Sequence, residues 1–281
     1  MALSFLNKRA QDKEMSFVDH LEELRWHIVR SLIAILIIAI VVFVKMDFFF
    51  DKVIMGPLRP DFISYDALCR FSHWIGAGDS LCVPVTNTKL QATTFGSQFI
   101  SSISIAFVSG FIIAFPYIFW EFWQFIKPAL TGKELRTTKF AILFVSFFFF
   151  TGAAFGYYLL APFTFSFLGN YHLGTMNMLE TRPMLSDYID NLVNITLGSA
   201  VAFQLPVVAY VLTRIGLITP NFLKTYRKYA FVAILIVAAI ITPSPDWMSQ
   251  MLVCIPLVIL YELSILISKR VYTVREAKWN A

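Results

Sequence analysis

The chain has 281 residues, of which 58% are hydrophobic and only 15% charged, and its mean hydropathy is +0.68. A soluble domain is usually about 25% charged, so this composition excludes a water-soluble enzyme or binding domain. The net charge of +5 needs no nucleic-acid partner, because the basic residues fall in connections between apolar segments, as membrane topology requires.

The apolar segments predict an all-α integral membrane protein, since lipid offers no hydrogen-bond partners to exposed backbone groups. Six transmembrane helices are predicted, at residues 28–44, 98–125, 140–168, 188–215, 229–241 and 247–267. Around them, a single membrane domain over 1–281 is expected to contain a cytosolic N-terminal segment at 1–27, a long exported loop at 47–95 and a cytosolic tail at 268–281. The first helix is expected to be retained, because a long charged segment precedes it and no typical cleavage site follows.

Basic residues in the connections predict that both termini are cytosolic. The N-terminal segment, the second and fourth connections and the tail are rich in Lys and Arg, whereas the third connection has only Arg182 and the fifth has none. The first connection is also basic, but long loops translocate largely regardless of charge.

Segment lengths predict an uneven bundle. The second and fourth segments have 28 residues each and contain Pro116 and Pro206, which predicts two long, kinked helices that form a concave wall. The last two helices are predicted to be short: 229–241 spans only about 20 Å, and polar residues interrupt 247–267. Either tilted neighbours cover these ends, or the bilayer is thin beside this hairpin.

The cysteines suggest one disulfide bond. Cys69 and Cys82 both fall in the predicted exported loop, where an oxidising compartment favours a disulfide, while Cys254 lies in the last segment. A disulfide between Cys69 and Cys82 and two unpaired thiols both remain open.

Acidic residues at the cytosolic edge are the main functional signal. Glu22 and Glu23 precede the first segment and Glu134 lies between the second and third, which suggests a receptor for a cationic, peptide-like ligand. Alternatively, Glu22 pairs with Arg25, Glu23 with His27 and Glu134 with its own basic neighbours. Consecutive helical residues project about 100° apart, so Glu22 and Glu23 cannot both face one site.

Several motifs resemble those of one family. The string HLEELR at 20–25 resembles the opening of TatC, the core subunit of the twin-arginine protein translocase. FIKPAL at 125–130 followed by KE at 133–134, FQLP at 203–206, and TPSPD at 242–246 with Gln250 are similar to further motifs of that family. The likeness covers about residues 16–270.

This resemblance implies a Sec-independent translocase subunit in the bacterial cytoplasmic (inner) membrane, with no enzymatic activity, cofactor or metal. Such proteins bind twin-arginine signal peptides of folded substrates and assemble with small single-span subunits of the TatA and TatB type and with further copies, driven by the proton-motive force. The implied signal-peptide-binding residues are Glu23, Arg25, Phe125 and Glu134. The implied partner-helix-binding residues are Gln204, Pro243 and Gln250.

Gln204 departs from the family pattern, because many relatives have Glu there and an amide cannot change charge. A hydrogen bond to a neighbouring helix is an equal alternative for its role. A proton- or ion-coupled secondary transporter is the rival function, but it would need polar groups at the midplane and internal repeats. Only Gln204 lies at the predicted midplane, and no repeat is visible.

Overall fold

The computed structural model describes residues 17–74, 76, 78, 82, 89–126, 138–171, 182–242 and 247–279. This part of the chain is helical apart from turns and one isolated β-bridge between Gln91 and Met184, so the prediction of an all-helical chain is confirmed. Within it, five stretches are long and apolar enough to cross a membrane: Leu21–Val44, Ser97–Phe125, Ile142–Asn170, Leu185–Ile215 and Ser249–Val274.

The first helix, α1 (Phe17–Val44), begins earlier than predicted. The charged residues before 28 contain no Pro or Gly, so nothing stops the helix from continuing through them. Part of the segment that was predicted to precede the membrane is therefore the first turns of α1. This helix packs along α4 (Ser97–Ile126), where a Cβ on Gly110 would lie 2.9 Å from the Ile35 carbonyl oxygen.

The region between α1 and α4, predicted as a long exported loop, contains short helical elements in the part that the structure describes. It contains α2 (Met46–Phe49), a π-helical turn (Phe50–Ile54), a 3-10 turn (Gly56–Leu58) and α3 (Ile63–Trp74). Tyrosine hydroxyls donate to carbonyls of these irregular turns: Tyr157 to Val53, Tyr188 to Ile54 and Tyr65 to Pro57. Burial raises the pKa of Tyr65 to about 12, so its hydroxyl keeps the proton that it donates.

A disulfide joins Cys69, on α3, to Cys82, the candidate pair from the sequence. The chain turns back between them through Gly76 and Gly78, whose φ angles are 74° and 59°. Residues that have a side chain rarely adopt this left-handed backbone conformation, which explains the glycine at both positions. Ser72 donates to the Gly78 carbonyl and holds the same turn.

The third stretch runs through α5 (Thr138–Phe155), a π-helical turn (Gly156–Leu160) and α6 (Ala161–Asn170). The fourth is split into α7 (Leu185–Ala202) and α8 (Leu205–Ile215). The interruption at 203–204 lies just before Pro206, which lacks the N–H that a continuous helix would need. By contrast, Pro116 lies inside the uninterrupted helix α4.

The last part of the chain corrects the prediction of two short helices. After α9 (Pro220–Thr225), α10 (Arg227–Ile241) is indeed short at 15 residues, but α11 (Trp247–Trp279) has 33. Two of its polar residues did not end it because they have partners: Gln250 donates to the Leu235 carbonyl and Glu262 pairs with Arg227 at 2.6 Å. Because α10 is so short, a sixth span remains a prediction.

The main apolar core lies where α7 meets α10 and α11, with Ile195, Ala238 and Leu257 almost fully buried. An apolar cavity of about 460 Å³ borders this core between α4, α5 and α7 and is lined by residues such as Ile105, Phe150 and Ile189. This cavity lies on the long helices that were predicted to form a concave wall.

Candidate functional site

Glu23 lies on α1 with one carboxylate oxygen, Oε2, buried and without a hydrogen-bond partner in the described part of the chain. Neither Glu22 nor Glu23 forms an ion pair among the described residues. Glu22, one position earlier, is exposed. A buried carboxylate oxygen is costly unless a donor satisfies it, so this arrangement favours an incoming donor at Glu23.

One turn further along α1, His27 contacts a buried carboxylate of α4. His27 Nδ1 lies 2.5 Å from Glu121 Oε2, and Tyr117 donates to Glu121 Oε1 at 2.7 Å. Arg30 Nη1 approaches the same carboxylate at 4.0 Å. Only 2% of Glu121 is exposed. These contacts fix α1 against α4 at the end of the pair that carries Glu23.

Phe125 belongs to the same end. Its ring makes an edge-on contact with the His27 imidazole at 6.4 Å between centroids. On α1, Glu23 and His27 are four residues apart, and on α4 Glu121 and Phe125 are four residues apart, so each pair shares one helix face. The packing of α1 on α4 therefore brings the faces with Glu23 and Phe125 to one end of the helix pair.

Of three other predicted residues, one is described and two lie outside the described ranges. Arg25 is exposed, and two helical positions separate it from Glu23 by about 200° around α1. Glu134 lies outside the described residues, as does Pro243.

The partner-helix candidates use part of their hydrogen-bonding capacity inside the chain. Gln204 donates from Nε2 to the Val145 carbonyl at 3.3 Å, while its Oε1 is buried without a partner among the described residues. Gln250 donates to the Leu235 carbonyl and so links α11 to α10.

Sequence reasoning missed the contact between His27 and Glu121. His27 was considered only as a partner for Glu23, whereas the structure buries Glu121 against it. A signal did exist, because His27 and Arg30 flank the start of the first apolar segment and Glu121 lies near the predicted cytosolic end of the second. A carboxylate in that position needs a partner, and the imidazole on the adjacent helix is available.

The chemistry of this end suits a planar cation. A carboxylate accepts the parallel N–H donors of a guanidinium, and an aromatic face attracts the same group. Glu23 offers an unsatisfied acceptor and Phe125 an aromatic ring. Apolar surface on the long helices is available for a hydrophobic segment that follows such a cation.

Comparisons with a protein-family model and with known proteins agree on one family. A protein-family model described as "Sec-independent protein translocase protein (TatC)" matches residues 19–256. A protein of that name from Blattabacterium sp. subsp. Periplaneta americana is 38% identical over 265 residues, covering 92% of this chain and 96% of the relative. Another from Halalkalibacterium halodurans is 34% identical over 263 residues, covering 93% and 92%.

Two solved structures have the same fold. One, described as "Crystal Structure of Twin Arginine Translocase Receptor- TatC", is 32% identical with a TM-score of 0.67, covering 90% of this chain and 99% of that chain. A second, of the same receptor in DDM, is 31% identical with a TM-score of 0.68, covering 88% and 98%.

Proposed function

This chain belongs to the TatC family of Sec-independent protein translocase proteins, and we propose that it is the subunit that receives twin-arginine signal peptides of folded substrates. The family is a non-enzymatic component of protein transport. The proposed ligand contacts are Glu23 and Phe125, together with Arg25 and Glu134.

The buried, unpartnered oxygen of Glu23 is the observation that carries this proposal. In the described part of the chain, Glu121 and Glu262 have cationic or hydrogen-bonding partners, but Glu23 has none. A bidentate guanidinium would satisfy it, whereas an ammonium provides no matching fork. This difference predicts a preference for paired Arg over paired Lys.

Arginine recognition alone provides little affinity, because an exposed ion pair contributes only about 0.2–1 kcal/mol. The apolar segment of a signal peptide would add the remainder by burying hydrophobic surface. The cavity of about 460 Å³ between α4, α5 and α7 is the proposed location for part of that segment.

We also propose assembly with small single-span subunits of the TatA and TatB type and with further copies of this chain. The unpartnered Oε1 of Gln204 supports one contact, because a donor on an incoming helix would satisfy it. Pro243 and Gln250 complete the proposed partner-helix surface. The proton-motive force drives transport in this proposal, with Gln204 itself unable to exchange a proton.

In the proposed topology, six spans cross the bacterial cytoplasmic membrane and both termini are cytosolic. The distribution of Lys and Arg supports this orientation. It places Glu23 and Phe125 on the cytosolic side and the disulfide between Cys69 and Cys82 on the exported side, where oxidised thiols are stable.

The proposal is tested by photo-crosslinking a signal peptide to the full chain in membrane vesicles. We expect strong labelling with an Arg pair, loss of labelling with a Lys pair, and loss with Glu134→Ala at unchanged protein level. Glu22→Gln is the matched control and should label normally, because Glu22 is exposed and projects away from Glu23. Equal labelling by Arg and Lys peptides would contradict the receptor function.

A further inference from the structure

A second cavity, of about 350 Å³, lies between α4, α5, α8 and α11 at the end of the bundle that carries Phe125. Apolar side chains form most of its wall, among them Phe119, Phe144, Val207, Val211 and Ile267. Small-molecule sites commonly have volumes of about 300–1,000 Å³, so this cavity has room for a ligand.

The polar groups of this cavity are donors. Trp123 lines it, and the indole Nε1 is buried without a hydrogen-bond partner among the described residues. Arg270 also lines it, is exposed, and has no ion pair within the described ranges. The Tyr210 hydroxyl accepts from Arg214, which leaves its own proton free to donate.

Donors of this kind restrict the chemistry of the ligand that the cavity can bind. An indole N–H and a guanidinium have no acceptor capacity, so they require a ligand with oxygen acceptors and negative charge. The apolar wall requires a hydrocarbon part on the same molecule. A twin-arginine peptide segment does not fit this combination, because its cations would meet Arg270.

We propose that this cavity binds an anionic phospholipid of the cytosolic leaflet. One acyl chain lies between Phe119, Phe144 and Val211, the phosphate pairs with Arg270, and Trp123 donates to an oxygen of the glycerol ester region. Basic pockets between transmembrane helices on the cytosolic side bind such headgroups. The assignment to this leaflet rests on the orientation given under the proposed function.

Native mass spectrometry of the full chain, reconstituted with defined lipids and released into detergent, measures this binding. We expect phosphatidylglycerol to remain bound in preference to phosphatidylcholine. Arg270→Gln should lower phosphatidylglycerol retention about fivefold, from the roughly 1 kcal/mol that one basic residue contributes near an anionic headgroup. Lys224→Gln, an exposed cation of α9 that does not line the cavity, is the matched control and should leave retention unchanged.

Val211→Phe provides a second measurement, because the larger ring fills the cavity and the substitution changes no charge. It should reduce retention of phosphatidylglycerol, while Arg-dependent signal-peptide crosslinking persists. Equal retention of phosphatidylglycerol and phosphatidylcholine would overturn the lipid site. Equal retention of phosphatidylglycerol by Arg270→Gln and the parent chain would do the same. Neither result bears on Glu23, so this proposal and the receptor function fail separately.

Discussion

Two carboxylates at one end of the α1–α4 pair differ in their surroundings. Glu121 is buried and contacts His27, Tyr117 and Arg30, so its charge is compensated within the chain. Glu23 has an oxygen that no described residue satisfies. We infer that Glu121 has a positioning role, holding α1 against α4, whereas Glu23 is left for a ligand.

At the residue scale, Glu121→Gln should destabilise the protein. The amide can still accept from Tyr117, but it loses the charge that His27 and Arg30 compensate. A hydrogen bond to a charged group contributes about 1.5–3 kcal/mol, and the unfolding free energy should fall by that amount. The midpoint of thermal unfolding in detergent, followed by tryptophan fluorescence, measures the change.

Glu262→Gln is the matched control for this variant. Glu262 also forms an ion pair with a basic residue of another helix, but its side chain is 46% exposed. Exposed pairs contribute about 0–1 kcal/mol, so the control should change stability little. Equal losses in the two variants would refute the special role of Glu121.

At this scale the sequence offers candidate residues but not their contacts. Glu23 and Phe125 were singled out from motifs, and both lie where α1 packs on α4. The pair of His27 and Glu121 was not predicted, because 94 residues separate them and only the packing of α1 on α4 brings them together. Local spacing shows i,i+4 partners but gives no information on which helices become neighbours.

At the element scale, backbone groups and glycines decide how the helices join. The irregular turns after α2 leave carbonyls that tyrosine hydroxyls from three different elements satisfy. On α5 and the turn after it, Gly152 and Gly156 form a small-xxx-small pattern that allows α7 to approach closely. The first feature positions the turns after α2, and the second positions α5 and the turn after it against α7.

Tyr188→Phe should lower the free energy of unfolding by about 1–2 kcal/mol, because the buried Ile54 carbonyl loses its donor. Tyr158→Phe is the control, since Tyr158 is 49% exposed and its hydroxyl makes no hydrogen bond in the described part of the chain. Chemical unfolding in mixed micelles compares the two variants. If the free energy of unfolding falls only in Tyr158→Phe, the contact between Tyr188 and the Ile54 carbonyl is unimportant.

Gly156→Ala should also destabilise the bundle. Its Cβ would lie 2.7 Å from the Ile195 carbonyl oxygen, so α5 and α7 would have to separate, and overpacking typically costs about 1–3 kcal/mol. At Gly96 the nearest atom to a new Cβ is 3.9 Å away, so Gly96→Ala should be nearly neutral. Size-exclusion recovery after stepwise heating measures both; equal recovery would argue against close packing at Gly156.

Proline marked one of the two expected distortions as a break, since Pro116 lies inside the uninterrupted α4, and helix length was missed where tertiary contacts act. Pro206 correctly marked the interruption between α7 and α8. The length of α11 was missed because Gln250 and Glu262 look like interruptions in an apolar segment. Their partners, the Leu235 carbonyl and Arg227, lie on α10 and are invisible to local patterns.

At the scale of the whole molecule, the orientation in the membrane connects the separate sites. Basic connections predict one cytosolic side, and the disulfide lies in the connection predicted to be exported. The proposed peptide site and the proposed lipid site then share the cytosolic side. With α11 long, only α10 remains short, so any thinning of the bilayer is expected beside α10 alone.

A membrane-impermeant maleimide tests this orientation. In intact spheroplasts, Cys69 and Cys82 should react only after reduction, because the disulfide protects them and their side faces outward. Cys254 is an internal control, since it is 2% exposed and lies inside α11. If these cysteines are labelled only in inverted vesicles, the topology is the opposite of the one proposed.

The most direct test of the receptor function is a double-mutant cycle between Glu23 and the Arg pair of a signal peptide. Dissociation constants would be measured for Arg-pair and Lys-pair peptides against the parent chain, Glu23→Gln and Glu22→Gln. The account predicts a coupling of about 0.5–3 kcal/mol for Glu23 and none for Glu22. If the preference for Arg survives intact in Glu23→Gln, or falls equally in Glu22→Gln, then Glu23 is not the group that reads the arginines.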